Sequence, residues 1–231
     1  MSETTSTTLD TREPSVIVAQ QEQQPAFQLS RPPRQSLWAR AQHEVAEDLG
    51  YIVGIIPGSG GRYLRAWYYG LLLQRLGRGA KTSIGLEIQG AENISVGDHA
   101  LIGRHVFLCA TGGGTIALGD YVNLAMNVVV NAGVGGSIMI GSGVGIGNNT
   151  MVRATPHKYQ DRTRPIMTQG HAPGRIVIED DVWIAANRTI LPNTHIERGC
   201  VISAGSVVGG LVKAYSIMAG NPARLVGQRG S

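Results

Sequence analysis

The sequence predicts an all-β fold: a parallel β-helix of triangular cross-section with three short strands per coil, an N-terminal helical segment and one extruded loop. Aliphatic residues return every six positions at Val96, Ile102, Leu108; Leu118, Leu124, Val130; Ile140, Ile146, Val152; and Ile178, Ile184, Ile190, Ile196, Ile202, Val208. A period of six fits neither the 3.6 of a helix nor the plain alternation of a strand, so it belongs to a larger repeated unit. The six-step is broken only after a third anchor, with ten steps from Leu108 to Leu118, ten from Val130 to Ile140 and twenty-six from Val152 to Ile178. Three hexapeptides therefore close one coil, and insertions leave at coil boundaries without shifting the register.

Each hexapeptide reads as a short strand and a corner. The residue after an anchor is often small (Gly97, Gly103, Gly119, Ala125, Gly141, Gly147, Ala185, Ser203, Gly209), which suits a tight bend or a close backbone approach. The fourth residue after it is usually small or β-branched, as at Ala100, Val106, Val122, Val128, Val144, Thr150, Val182, Thr194, Cys200, Ser206 and Val212. Two inward positions per hexapeptide make a prism. Over roughly residues 80 to 226 this pattern resembles the hexapeptide-repeat left-handed parallel β-helix, an exception to the right-handed crossover preference.

Composition agrees with narrow coils: 42% of the 231 residues are hydrophobic, only 5% aromatic, and 32 are glycine. The net charge of +4 is modest and its basic residues are scattered, which argues against nucleic acid as a partner. Cys109 and Cys200 fall within the repeat register and read as small buried thiols. The N-terminus shows no secretory signal pattern and the chain no long uncharged apolar run, so a cytoplasmic setting is expected.

Three segments follow in order. Residues 1–35, rich in Ser, Thr, Gln and Pro, read as a disordered or loosely attached tail. Residues 36–79 read as a helical cap. Ser36 can cap a helix with Leu37, Ala41, Val45 and Leu49 on one side and Gly50 near its end, Pro57 to Gly61 form a break, and a second helix clusters Leu64, Trp67, Tyr68, Leu71, Leu72 and Leu76. Covering the first coil with that helix would turn Trp67 and Leu71 inward. The rival reading lays residues 62–78 on the inner face of a membrane, with Arg62, Arg65, Arg75 and Arg78 as the flanking charges. Residues 80–226 form the β-helix.

The longest interruption, between Val152 and Ile178, is polar and holds His157 and His171; a loop of this length inside a regular repeat points to function. IGSGVGIGNNTMVRATPHKY, IVIEDDVWIAANRTILPNTHI, ISAGSVV and AGNPARLV, taken in order, resemble the galactoside, maltose and polysaccharide O-acetyltransferases of the hexapeptide superfamily. That resemblance implies acetyl-CoA as acyl donor, a homotrimer with active sites between subunits, and no metal. It makes His157 the general base and puts Trp183, Ala186, Ala204, Ser206 and Arg224 at the coenzyme. Where relatives read VVTKD this chain has Val207 to Leu211, so a lysine contact is missing unless Lys213 moves in. The acceptor asparagine of an ANFN run aligns with Ala125, and Asn123 and Asn127, two residues to either side, are expected on one strand face as its substitutes. His171, His43, His99, His105 and His195 have no such match and read as exposed or locally hydrogen-bonded.

An imidazole suits this chemistry because it is largely neutral at pH 7 and can take the proton of a hydroxyl attacking a thioester. The function that the resemblance implies is O-acetylation of a sugar hydroxyl, such as that of a cell-surface polysaccharide or its lipid-linked precursor. N-acetylation of an amino sugar and modification of an antibiotic are the nearest alternatives. A γ-type carbonic anhydrase would need a third histidine at zinc, and a non-catalytic scaffold would lack a base in the loop.

Overall fold

The computed structural model describes residues 49–230, so the expected tail, the helix start at Ser36 and His43 lie outside the described residues. Within them the chain winds as a parallel β-solenoid of the left-handed type that the repeat predicts, built from three sheets. The first sheet stacks Arg75–Leu76, Ile94–Val96, Thr115–Leu118, Ser137–Ile140, Arg175–Ile178, His195–Ile196 and Leu211–Val212. The second stacks Lys81–Thr82, Leu101–Ile102, Asn123–Leu124, Gly145–Ile146, Trp183–Ile184, Val201–Ile202 and Ser216–Gly220. The third stacks Glu87–Gln89, Phe107–Cys109, Val129–Asn131, Met151–Arg153, Thr189–Ile190 and Val207–Val208.

Every hexapeptide anchor is at most 4% exposed. Register aligns them in columns, Leu108 with Val130 and Val152 on the third sheet for example. Each fully buried Val, Leu or Ile stabilises the fold by about 1.5–3 kcal/mol, so the six-residue spacing is the energetic frame of the prism. Val212 departs from its expected place: it pairs with Ile196 and occupies an anchor position of the first sheet, because the turn at Gly209 and Gly210 shortens that corner. Cys109 and Cys200 are buried free thiols.

The corners explain the polar residues of the repeat. Asn127, Asn149 and Asn187, at φ 59°, 56° and 61°, take the left-handed conformation at the corner between the second and third sheets, a conformation asparagine tolerates better than most side chains. At the corner between the first and second sheets, Asp120 Oδ1 accepts from the Asp98 N–H at 2.7 Å, and Asp180 Oδ1 from the Ser142 N–H at 2.7 Å. Backbone donors orphaned by each turn thus find the next coil's side chain. Among the described residues one inward position of the prism carries a charge. Arg188, the fourth residue after Ile184, is 2% exposed inside the prism.

The N-terminal helices differ from expectation in two ways. Residues 49–55 stay helical past Gly50, which has no Cβ to crowd the Tyr68 ring, and the break shrinks to Ile56 and Pro57 because a residue before proline is biased away from the α region. The next helix, α1 (Gly58–Leu72), covers the first coil, but through Arg65, Tyr68 and Tyr69. Arg65 Nε donates to the Thr82 carbonyl at 3.2 Å and Nη1 to the Ile56 carbonyl at 2.6 Å; Tyr69 Oη donates to the Leu86 carbonyl at 3.0 Å. Trp67 and Leu71 therefore point outward, 62% and 67% exposed, and Arg65 is no flanking surface charge. At the other end Ala223–Gln228 folds back antiparallel on Ser216–Gly220 and covers the edge of the second sheet.

Candidate active site

The long loop leaves the third sheet after Met151–Arg153 and returns to the first at Arg175–Ile178. Its neck is an antiparallel pairing in which Lys158 N–H donates to the Gly170 carbonyl and Ala172 N–H to the Pro156 carbonyl, each at 2.9 Å. Beyond the neck Asp161 Oδ1 accepts from the Thr163 N–H at 2.9 Å and its hydroxyl at 2.6 Å, and Gln169 Nε2 donates to the Asp161 and Arg164 carbonyls. The hydrogen bonds from Thr163 hold the Asp161 carboxyl below its usual range, with Arg164 contributing. The loop is thus tied at its neck and again at its tip.

The neck brings His157 and His171 together as directly bridged residues, ring centroids 4.1 Å apart with planes tilted by 36°. His157 Nδ1 is enclosed without a hydrogen-bond partner among the described residues, which leaves Nε2 as the nitrogen open to an approaching group. Burial, with smaller contributions from His157 and Arg153, pulls the His171 pKa below its ordinary value, which favours the neutral ring. Sequence reasoning passed over His171. The signal was its position, near the end of the insertion as His157 is near the start, which an antiparallel neck turns into a pair.

The other expected residues fall on a different part of the prism. Trp183 projects from the second sheet, 58% exposed, in register with Gly145 and through it with Asn123. Asn123 and Trp183 thus share one outer face, two strand spacings or about 10 Å apart. Asn127 does not share that strand: it sits at the following corner and its Nδ2 donates to Asn149 Oδ1 at 3.0 Å, a corner-to-corner bond that corrects the expected common face. Ala186 and Ala204 occupy equivalent places on successive coils at the corner between the second and third sheets, the latter exposed.

The Ser206 side chain faces the interior of the prism. It is fully buried, its hydroxyl donating to the Ser203 carbonyl at 2.7 Å and accepting from the Gly220 N–H at 3.2 Å, because it is an inward fourth position. Arg224 is exposed on the C-terminal hairpin, donating to the Ala223 carbonyl. Lys213 pairs with Glu197 at 3.2 Å and supplies no free lysine for the missing contact. His195 pairs with Glu179 at 2.7 Å, and His99 stacks on Tyr121. A groove of ≈ 460 Å³ on the first sheet is lined by Ala117, Met139, Val177, Glu179 and Arg198 among others, and neither loop histidine borders it. Among the described residues no group of three His, Cys, Asp or Glu side chains is gathered to hold a metal ion.

The loop histidines therefore stand at the corner between the third and first sheets, while Ala186 and Ala204 stand at the next corner, one face away. Residues 175–210 match the bacterial transferase hexapeptide (six repeats). A probable acetyltransferase of Mycobacterium tuberculosis (strain ATCC 25618 / H37Rv) is 40% identical over 73 residues, 32% of this chain and 24% of the relative. A probable macrolide acetyltransferase of Lysinibacillus sphaericus is 41% identical over 69 residues, 30% of this chain and 38% of the relative. The chain thus spans between about a fifth and two fifths of the length of the curated relatives it matches. The crystal structure of a hexapeptide-repeat containing acetyltransferase from Vibrio cholerae O1 biovar eltor, complexed with acetyl coenzyme A, superposes with a TM-score of 0.60 at 24% identity, covering 85% of this chain and 91% of that one.

Proposed function

We propose that this chain, whose residues 175–210 match the bacterial transferase hexapeptide and whose matched relatives include probable acetyltransferases, is an acetyl-CoA-dependent O-acetyltransferase acting on a sugar hydroxyl. The observation that carries this reading is His157, fixed at the neck of the loop against the His171 ring, with Nδ1 enclosed and Nε2 open. In the proposed reaction Nε2 takes the proton of the acceptor hydroxyl as its oxygen bonds to the thioester carbonyl carbon. The tetrahedral intermediate then collapses, the carbon–sulfur bond breaks, and the imidazolium returns the proton to the departing CoA thiolate. General-base assistance of this kind is worth about 10²- to 10⁴-fold.

The donor would run along the corner at Ala186 and Ala204 with Trp183 beside it and Arg224 toward a phosphate, the acceptor lying near Asn123. Because that corner and the histidine corner are separated by a face of the prism, we infer that one protomer's loop serves its neighbour's corner in a homotrimer. The setting proposed is the cytoplasm, where acetyl-CoA is available.

The test is release of CoA thiol from acetyl-CoA with a panel of hydroxyl and amino sugars, for wild type and His157→Ala. We expect wild-type turnover on hydroxyl sugars, and a variant that binds CoA normally but turns over at least about a hundredfold more slowly. A variant keeping more than about a tenth of wild-type turnover removes His157 as the base.

A further inference from the structure

The face of α1 that the prism does not use is apolar. Tyr63, Trp67 and Leu71 recur at every fourth residue, so they share one side of the helix, and they are 71%, 62% and 67% exposed. The preceding helical residues add Tyr51, Ile52 and Ile55, all exposed. Single exposed apolar side chains are ordinary, but three in line on a helix whose other face already caps the core form a surface of their own. Its chemistry is particular. From Leu49 to Leu86 the sequence holds no Asp or Glu, while Arg62, Arg75, Arg78 and Lys81 are exposed. Arg62 lies over the Tyr63 ring, 5.6 Å from its centroid. Arg75 and Arg78 share Asp98, a residue from the neighbouring coil, at 2.9 Å and 3.6 Å, so two guanidinium groups are set against one carboxylate.

We propose that this face of α1 docks on an anionic phospholipid surface, with Tyr63, Trp67 and Leu71 entering the headgroup–acyl boundary and the exposed arginines meeting lipid phosphate. Tyr and Trp suit that boundary because each joins an apolar ring to a polar tip, and cations flanking an apolar stripe are what an anionic leaflet attracts. A second copy of the same face fits less well: it would bring Arg62 against further arginines with no carboxylate on the segment to answer them. No helix among the described residues is long and apolar enough to cross a membrane, so the contact lies in the plane of the surface. The inference is independent of the acetyl-transfer reading.

The experiment is flotation of the full chain with phosphatidylglycerol–phosphatidylcholine vesicles and with phosphatidylcholine vesicles alone, at low and high salt. The variants are Tyr63→Ser/Trp67→Ser/Leu71→Ser and Arg62→Glu, each with its melting temperature and light-scattering mass. We expect wild type to float with the anionic vesicles and to be partly released by salt, and the triple variant to bind at least about tenfold more weakly with unchanged melting and mass. Arg62→Glu should lower binding to anionic vesicles only. Absence of wild-type flotation, or equal flotation of wild type and triple variant, overturns the proposal. So does a triple variant that loses mass, which makes the occupant a second copy. A triple variant that melts lower while wild type ignores vesicles also overturns it, because the face is then covered by the chain's own residues 1–48.

Discussion

Replacing Arg188 with methionine should make this protein more stable. The side chain lies inside the prism at 2% exposure, in the inward column between Thr150 and Ser206. Its Nε and Nη1 have no hydrogen-bond partner among the described residues, and Nη2 reaches only the Ile202 carbonyl at 3.4 Å. Burial pulls the guanidinium pKa below its usual value, the signature of a cation without a counter-charge. Each buried, unsatisfied donor costs about 1–3 kcal/mol, and replacing buried ionic groups with apolar residues of similar volume often gains about 1–4 kcal/mol. Methionine keeps the length of the stem and fills an irregular space well. A gain of about 1–4 kcal/mol corresponds to about 2–4 °C in melting temperature for each kcal/mol in a chain of this size. The assay is urea unfolding at constant m-value, supported by thermal melting. Arg188→Ala separates charge from volume, since it removes the cation but leaves a cavity. A methionine variant less stable than wild type by about 1 kcal/mol or more would refute the reasoning, because the guanidinium would then have partners worth more than its desolvation.

His171→Ala should lower kcat by about tenfold or more with little change in KM, because the His157 ring loses the surface that fixes it, and His171→Phe, which preserves stacking, should recover most of the loss. Because the folded-state pKa of His171 is depressed, the stability it permits is complete above about pH 6.5 and declines as pH falls through its folded value. Melting temperature should therefore drop on acidification from pH 7, and less steeply in His171→Gln. Tyr69→Phe should cost about 1–2 kcal/mol in urea unfolding, since it leaves the buried Leu86 carbonyl without its phenol donor.

The prism was legible because one physical requirement repeats: each strand must put an aliphatic side chain inside, so a spacing of six and its interruptions give the strands, the coils and the exit of the loop. The asparagines at Asn127, Asn149 and Asn187 stood three residues after their anchors and marked left-handed corners; reading Asn127 as a strand residue overlooked that. The helix face was harder. Arg65 with Tyr68 and Tyr69, and Trp67 with Leu71, are both sets at helical spacing, and only the carbonyls of Ile56, Thr82 and Leu86, waiting for Arg65 and Tyr69, decide which set turns inward. An arginine in a helix reads as surface charge until such acceptors are in place. Arg188 was illegible for a related reason: the column it enters is otherwise small or aliphatic, and no local pattern announces a buried cation. At the site, His157 stood out through its motif, whereas His171 became meaningful only when the loop closed on itself.

Whether His157 meets a thioester brought by a neighbouring protomer is decided by the structure of the protein crystallised with CoA. A three-fold assembly is expected in which the coenzyme follows the corner of Ala186 and Ala204 past Trp183, its thiol within direct or one-water reach of His157 Nε2 from the adjacent chain. Coenzyme bound instead in the groove of Glu179 and Arg198 on the first sheet, or a thiol remote from every His157, would contradict it.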